Sequence, residues 1–405
     1  MRSMTLPAVG VLGLTMLAVT RVEPPTDLGS WTDGPLAGEI VLAMDTDGAA
    51  VVVGTASGLF RVEGDGSSEA LGVPGPVHTV AAVAGAEFWA GTDAGLVVVE
   101  EGADPVARAF AGDRVHSLDI HDTTAVAGTD SGVHRRTGNG DWQRVWPAAD
   151  QPGTGVGAVL RAPQGLLFAH PQGLALLRPA GSVDVVVPDV SVVALGRWSD
   201  DGSLWAGTRG DPLLLRSTDG GSSWNSRSSG LGYTAVQAVA ADPSTDGELL
   251  VGGSGLADGN GNAGIQRTDD DGRTWTAEQD RLTSTHVYAL ATRTEPLRLD
   301  LRLAGTDAAT SLPLPVSTTR WYAGTNGGGI STHRPDVAAL NGLAAAAPFL
   351  AVLEPLLGGA LLLVVLMPAY QRLRGSRTPV PRGPPAAAIS TDRDPQTDHS
   401  NATPT

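Results

Sequence analysis

Cysteine is absent from the 405 residues, which excludes disulfides, a lipid-modified cysteine and any thiolate metal site. Lysine is absent too: all 27 basic residues are arginine, set against 43 acids for a net charge of −16. A chain so poor in cations does not suit a phosphate backbone, so nucleic acid is excluded as a partner. Aromatic residues make up 4%, and tyrosine occurs only as Tyr233, Tyr288, Tyr322 and Tyr370. The eight histidines form no H-x-x-x-H or similar ligand pair, so no histidine-based zinc site is expected.

What the sequence has is a repeat. A phrase close to apolar-Ala-Gly-Thr starts at Val53, Ala90, Ala127, Ala169, Ala206, Val251 and Ala323, with central residues Gly54, Gly91, Gly128, His170, Gly207, Gly252 and Gly324. The steps between them are 37, 37, 42, 37, 45 and 72 residues. Around each phrase lie apolar runs of four to six residues broken by Gly, Asp and Asn, and none keeps a helical period. Short antiparallel strands recurring every ~40 residues predict an all-β chain folded as a β-propeller, with one blade per repeat. Seven blades are expected. Eight is the alternative, because the long last step holds a second Ala304-Gly305-Thr306; an insertion across Glu295 to Thr319 is preferred. After Ile330 the chain offers no fourth strand, so the stretch around Trp31 and Thr32 is expected to supply it and close the ring.

Two turns are more specific. Ser217-Thr218-Asp219-Gly220-Gly221-Ser222-Ser223-Trp224 fits S-x-D-x-G-x-S/T-W, and the stretch from Thr268 through Asp270 and Gly272 to Trp275 fits it with threonine first. These turns resemble the Asp box of sialidase-like, or BNR-repeat, propellers, in which the box closes a hairpin within a blade. The resemblance covers roughly residues 30 to 335, with most copies worn, and assigns Ser217, Asp219, Gly221, Trp224, Thr268, Asp270, Gly272 and Trp275 a structural role. The phrases after the Gly-Thr, such as GLFRV from Gly58 and GLVVV from Gly95, are similar to the repeats of sensor-type periplasmic propellers. The implied class is a mixed BNR-type propeller with WD40/YVTN-like repeats. The acidic, lysine-free composition resembles that of proteins from extreme halophiles, and also fits an acidic protein of a GC-rich genome.

The ends differ from the middle. Residues 1–22, with Arg2 before an apolar run from Thr5 to Val19, read as a signal peptide or an N-terminal anchor. The propeller is assigned to 28–335. Residues 343–370 are apolar apart from Glu354, long enough for one transmembrane helix across a ~30 Å hydrocarbon core. Arg372, Arg374, Arg377 and Arg382 follow it, which places the tail, 371–405, in the cytoplasm and the propeller outside. The tail's Pro, Thr, Ser and Asp content predicts disorder.

Candidate site residues are few. Tyr233, Tyr288, His78, His116 and His286 sit just before predicted inner strands and are candidates for an axial ligand site; packing between blades is the competing role. Asp258, Asn260 and Asn262 alternate like oxygen donors of a calcium loop, but Ala263 stands where that loop needs glycine, so no metal and no cofactor are expected. The sialidase likeness would imply a hydrolase, yet no arginine cluster, Tyr–Glu pair or second carboxylate is recognisable. The function expected is a non-enzymatic cell-surface propeller that binds or scaffolds a protein or glycan near the membrane. A membrane-anchored carbohydrate-active hydrolase and an assembly factor for a membrane complex are the alternatives.

Overall fold

The computed structural model describes residues 19–23 and 30–334, except 47, 49, 84–86, 149, 198–201, 242–247, 256–263, 279, 283 and 304–308. All regular structure among them is β-strand. The first sheet runs Val41–Thr46, Val51–Thr55, Gly58–Val62, Ser68–Pro74, and the second Val77–Val83, Glu87–Thr92, Gly95–Glu100, Val106–Ala109. The third runs Val115–His121, Thr124–Thr129, Gly132–Thr137, Gln143–Trp146, and the fourth Val159–Ala162, Gly165–His170, Gly173–Leu177, Val183–Pro188. An eight-stranded sheet follows, made of two four-strand runs that open with Ser191–Arg197 and Ala235–Ala241 and meet at the pair Arg209↔Ala235. The last sheet contains Val287–Leu303, Ala309–Thr325 and Ile330–His333. Each run's first strand lies against the first strand of the next run, and Val287–Leu303 lies against Val41–Thr46, so the series returns on itself. This cyclic stack of radial antiparallel sheets is a β-propeller.

The repeated glycine makes that stacking tight. A Cβ placed on Gly54, Gly91, Gly207, Gly252 or Gly324 would come within 3.0 Å of Val77, Val115, Val236, Val287 or Val41, each on the first strand of the following run. Glycine is needed there because any side chain would push the neighbouring sheet away. The contact between Gly324 and Val41 joins the last sheet to the first by the same device. Threonine after the glycine closes the next hairpin: Thr92 Oγ1 donates to the Gly95 carbonyl at 2.8 Å and Thr55 Oγ1 to that of Gly58 at 3.2 Å. In the fourth sheet the pair Ala169↔Leu174 matches Gly54↔Leu59 and Gly91↔Leu96. Ala169, not His170, therefore stands in the glycine's place, and His170 in the threonine's. The sequence alignment is off by one there, because Phe168-Ala169-His170 contains no glycine to mark the register.

The two Asp-centred turns build the outer hairpins. Asp219 Oδ1 accepts the backbone N–H groups of Ser222 (3.0 Å) and Ser223 (2.9 Å), and Ser223 Oγ donates to Oδ2 at 2.6 Å. Asp270 repeats this with Arg273, Thr274 and the Thr274 hydroxyl. Ser217 and Thr268 each donate to the aspartate while accepting the N–H of Gly221 or Gly272 at 2.9 Å. Those two glycines have φ of 98° and 75°, a region that side chains disfavour. The hydrogen bond from the Ser223 hydroxyl leads in holding Asp219 down to about 2, and that from the Thr274 backbone does the same for Asp270.

Tryptophan then ties one outer strand to the preceding sheet. Trp275 Nε1 donates to the Arg227 carbonyl at 3.1 Å, and Trp31 Nε1 donates to the Glu278 carbonyl at 2.8 Å. Arg227 and Glu278 each follow the last strand of their run, so these are the same latch in successive sheets. Trp31 precedes the strand Thr32–Asp33, which pairs with Ile330–His333 through Thr32↔Thr332 and Asp33↔Ser331. The expected fourth strand of the last sheet thus comes from the N-terminal side of the chain. Where the third run has only Gly138 to Asp141 before its tryptophan, Trp142 still packs near Trp89 of the second, and the Arg136 guanidinium lies 4.4 Å from the Trp89 ring centre.

The segment from Glu295 to Thr319 extends two existing strands. Val287–Leu303 and Ala309–Thr325 pair as far as Arg302↔Ala309, with a register shift between Pro296 and Arg298, forming a long hairpin arm, and Val19–Glu23 adds along its outer side through Val19↔Leu303 and Glu23↔Asp300. At its base Arg293, Arg320 and Arg334 converge on Glu295, a brace whose side chains are 8–17% exposed. The second Ala304-Gly305-Thr306, the predicted span at 343–370, the tail and most of residues 1–22 lie outside the described residues. Among the described residues no helix is long and apolar enough to cross a membrane.

Two measurements test this assembly. Gly324→Val should destabilise by ~1–3 kcal/mol through overpacking at the seam, and Trp31→Ala, at a site 1% exposed, by ~3–5 kcal/mol, both read by chemical denaturation. For the Asp-centred turns the folded pKa lies below the usual 3.8, so the carboxylates stabilise the fold above pH about 4 and lose that contribution as pH falls towards 2. A D219N/D270N double variant should melt below the parent protein at neutral pH, and the gap should close between pH about 4 and about 2.

Candidate functional site

The register of the first strands decides which side chains reach the axis. Val41, Val77, Val115, Val192 and Val287 pair with Thr55, Thr92, Thr129, Thr208 and Thr325, and Val236 with Gly253. All six valines are buried. Directly after each one the pairing slips by a residue, so that Leu42, His78, His116, Val193, Gln237 and Tyr288 are the extra residues of six equivalent β-bulges. A bulge takes a side chain out of the sheet's alternation and re-aims it. None of the six is buried. Val156 takes the valine's place against Gly128 ahead of the fourth sheet, and Gly157 follows it. These positions surround the mouth at which the first strands begin.

The polar members of the ring are held by the residue that follows the threonine or glycine of the same sheet. His78 Nε2 donates to Asp93 Oδ1 at 2.8 Å, His116 Nε2 to Asp130 Oδ1 at 2.6 Å, and Gln237 Nε2 to Ser254 Oγ at 3.2 Å. Arg114 Nε also donates to Asp93 Oδ1. The His78 hydrogen bond is the main cause that lowers Asp93, with Arg114 adding to it. The two imidazole centres are 6.3 Å apart, and both histidines are about one quarter exposed against 46% and 59% for their aspartates. In the third run Asp113 accepts from Thr129 and Ser131 hydroxyls, and Ser131 Oγ lies 3.0 Å from His134 Nε2; burial lowers the His134 pKa. The mouth is polar beside the second, third and sixth runs, aromatic at Tyr288, and apolar at Leu42 and Val193.

A His–Asp pair orients an imidazole, but base catalysis also needs a nucleophile or substrate proton at the other nitrogen. Among the described residues neither ring is hydrogen-bonded to a hydroxyl. No group of three or more described His, Asp or Glu side chains is placed to hold a metal ion.

The residues singled out from the sequence separate into four groups. His78, His116 and Tyr288 share the bulge position. His286 does not: it precedes Val287, is exposed, and uses its carbonyl to accept Asn326 N–H at 3.1 Å. The apparent likeness of PVHTV, RVHSL and THVYAL is off by two residues, since the buried valine fixes the frame and puts Tyr288 where His78 and His116 stand. Tyr233 is 2% exposed, and its hydroxyl donates to the Val251 and Gly264 carbonyls at 3.3 Å, so ring and hydroxyl are both taken up in the core. Asp258, Asn260 and Asn262 lie outside the described residues. Leu42, Val193, Gln237, Asp93, Asp130 and Arg114 were missed; aligning the repeats on the valine before each bulge would have found them.

No family model matches the chain, and no curated protein does. Solved structures do. The extracellular domain of a one-component system from B. thetaiotaomicron is similar at TM-score 0.58 and 15% identity, over 76% of this chain and 40% of that one. YCF48 bound to D1 peptide matches at TM-score 0.52 and 15% identity, over 76% of this chain and 98% of that one. A catalytically inactive virginiamycin B lyase from Staphylococcus aureus with Quinupristin matches at 0.53 and 11%, over 75% and 97%. The chain thus spans two fifths of the first of these. At such identities the likeness establishes the β-propeller fold alone.

Proposed function

We propose that this chain is a seven-bladed, BNR-type propeller which binds a protein segment at its axial mouth and performs no chemistry there. The bulge ring carries the reading. Six side chains of mixed character, Leu42, His78, His116, Val193, Gln237 and Tyr288, are placed at equivalent positions by the backbone, and the polar ones are already held by partners. Such a surface offers an aromatic anchor, apolar patches and fixed hydrogen-bonding groups, the mixture that recognises a protein or peptide. A glycan is the second ligand class the mouth would admit. The likeness to YCF48, solved with a peptide, and to the extracellular domain of a one-component system supports a binding role in this chain.

In the same proposal residues 343–370 anchor the propeller by one helix, with the ring outside the cell and residues 371–405 within. The acidic, arginine-only composition keeps the exposed ring soluble in high salt. A partner that is itself a membrane protein would lie within reach of a ring so tethered.

Crosslinking and capture from native membranes at high salt test the reading, with the parent protein compared with a H78A/H116A double variant and with Y288A. A stoichiometric partner should be recovered with the parent chain, and its affinity should fall about tenfold or more with either variant. An unchanged captured set, with both variants folded to the parent melting temperature, would overturn it. Turnover of a glycan panel would instead establish the hydrolase.

A further inference from the structure

The first strand of the last sheet outruns its equivalents. Val77–Val83 and Val115–His121 each end six residues after their buried valine, whereas Val287–Leu303 continues ten residues past the matching Arg293. At ~3.3 Å per residue the hairpin arm reaches about 33 Å further, in the direction away from the mouth at which the first strands begin. Past Arg293 and Arg320 its two strands pair, among the described residues, with each other and with Val19–Glu23 alone.

The arm's sequence alternates strictly: Leu297, Leu299, Leu301 and Leu303 are separated by Arg298, Asp300 and Arg302. Successive residues of a strand belong to opposite faces, and residues directly opposite each other in an antiparallel pair share one. The register therefore places Leu299 with Leu312, Leu301 with Val22 and Leu303 with Val19 on one face of the arm. On the other face Arg302 stands with Arg21, and Asp300 with Glu23. Water suits the charged face, but an apolar sheet face needs a second layer against it.

The chain on either side of the arm shows what that layer is. The apolar run from Thr5 to Val19 leads without a break into the strand Val19–Glu23. Residues 343–370, the proposed membrane span, begin nine residues after Arg334, which is paired with Glu295 at the arm's base, a reach of at most ~32 Å. Both long apolar stretches of the chain thus attach at the arm, one at its outer strand and one near its base. Edge pairing with a second copy is disfavoured, because Pro313 and Pro315 remove donors from the strand Ala309–Thr325. The charged face also carries Arg21, Arg298 and Arg302 against Glu23 and Asp300, in a chain of 27 basic and 43 acidic residues, so the arm escapes the repulsion that anionic headgroups exert on the chain as a whole.

We propose that the leucine face of this arm lies against the lipid bilayer, at the boundary between headgroups and acyl chains. The proposal rests on the anchoring described under the proposed function and names the surface of the propeller domain that meets the membrane.

A chain without cysteine permits a direct test. Full-length protein carrying Leu301→Cys or Arg302→Cys is labelled with an environment-sensitive fluorophore and reconstituted into phosphatidylcholine–phosphatidylglycerol vesicles, with or without a nitroxide on the upper acyl chain. The label at 301 should be quenched about twofold or more by the nitroxide, as for a face buried ~5–10 Å into the boundary, and the label at 302 should be unaffected. The pair Leu299→Cys and Arg298→Cys repeats the comparison if either first variant fails to keep the parent melting temperature. Equal quenching on the two faces, or none at the leucine positions, would overturn the inference. Blue-shifted emission at 301 without quenching would overturn it as well, by assigning the cover to a second copy or to residues 1–18. Protein that does not float with the vesicles would sink the anchoring and the inference together, whereas flotation without quenching would sink the inference alone.

Discussion

A missing Cβ sets the spacing of the propeller. Where Gly54, Gly91, Gly207, Gly252 and Gly324 stand, the valine of the following sheet comes so close that even a methyl group would displace it. Each valine buried in this way contributes ~1.5–3 kcal/mol, and close packing leaves little tolerance for a mismatched neighbour. The contact recurs in five of the seven runs, so its effect accumulates around the ring. A single seam opened by an extra side chain would disturb the last sheet as much as the first, because Gly324 and Val41 are joined by the same contact.

The outer rim depends on a different interaction. The Asp-centred turns hold their hairpins through carboxylate acceptors, and tryptophans carry the tie from one sheet to the last outer strand of the sheet before it. Trp31 and Trp275 make the same N–H contact to successive sheets. In the last sheet the tryptophan and its strand are supplied by residues 31–33, so the outer side of Ile330–His333 is paired. Arg293, Arg320 and Arg334 around Glu295 brace the base of the long hairpin.

The proposed site follows from the register of the first strands. The buried valine fixes where each first strand starts, and the bulge after it releases one side chain to the mouth. The first-strand bulges repeat in backbone but not in residue type, so that one scaffold presents histidine, tyrosine, glutamine and aliphatic groups at equivalent positions.

The sequence alone determined the repeat, the all-β class, the Asp-centred turns and the return of residues near Trp31 to the last sheet, because glycine, aspartate and tryptophan act there through local geometry that their own neighbours display. It placed His78, His116 and Tyr288 near the axis, but read Ala169 and His170 one residue out of frame and matched His286 to the wrong position. Strand side chains alternate every two residues, so a local pattern tolerates a slip that exchanges one face for the other. Which valine is buried, where the bulge falls and that Tyr233 is enclosed were decided only by tertiary structure, since each depends on a sheet distant in sequence closing against its neighbour.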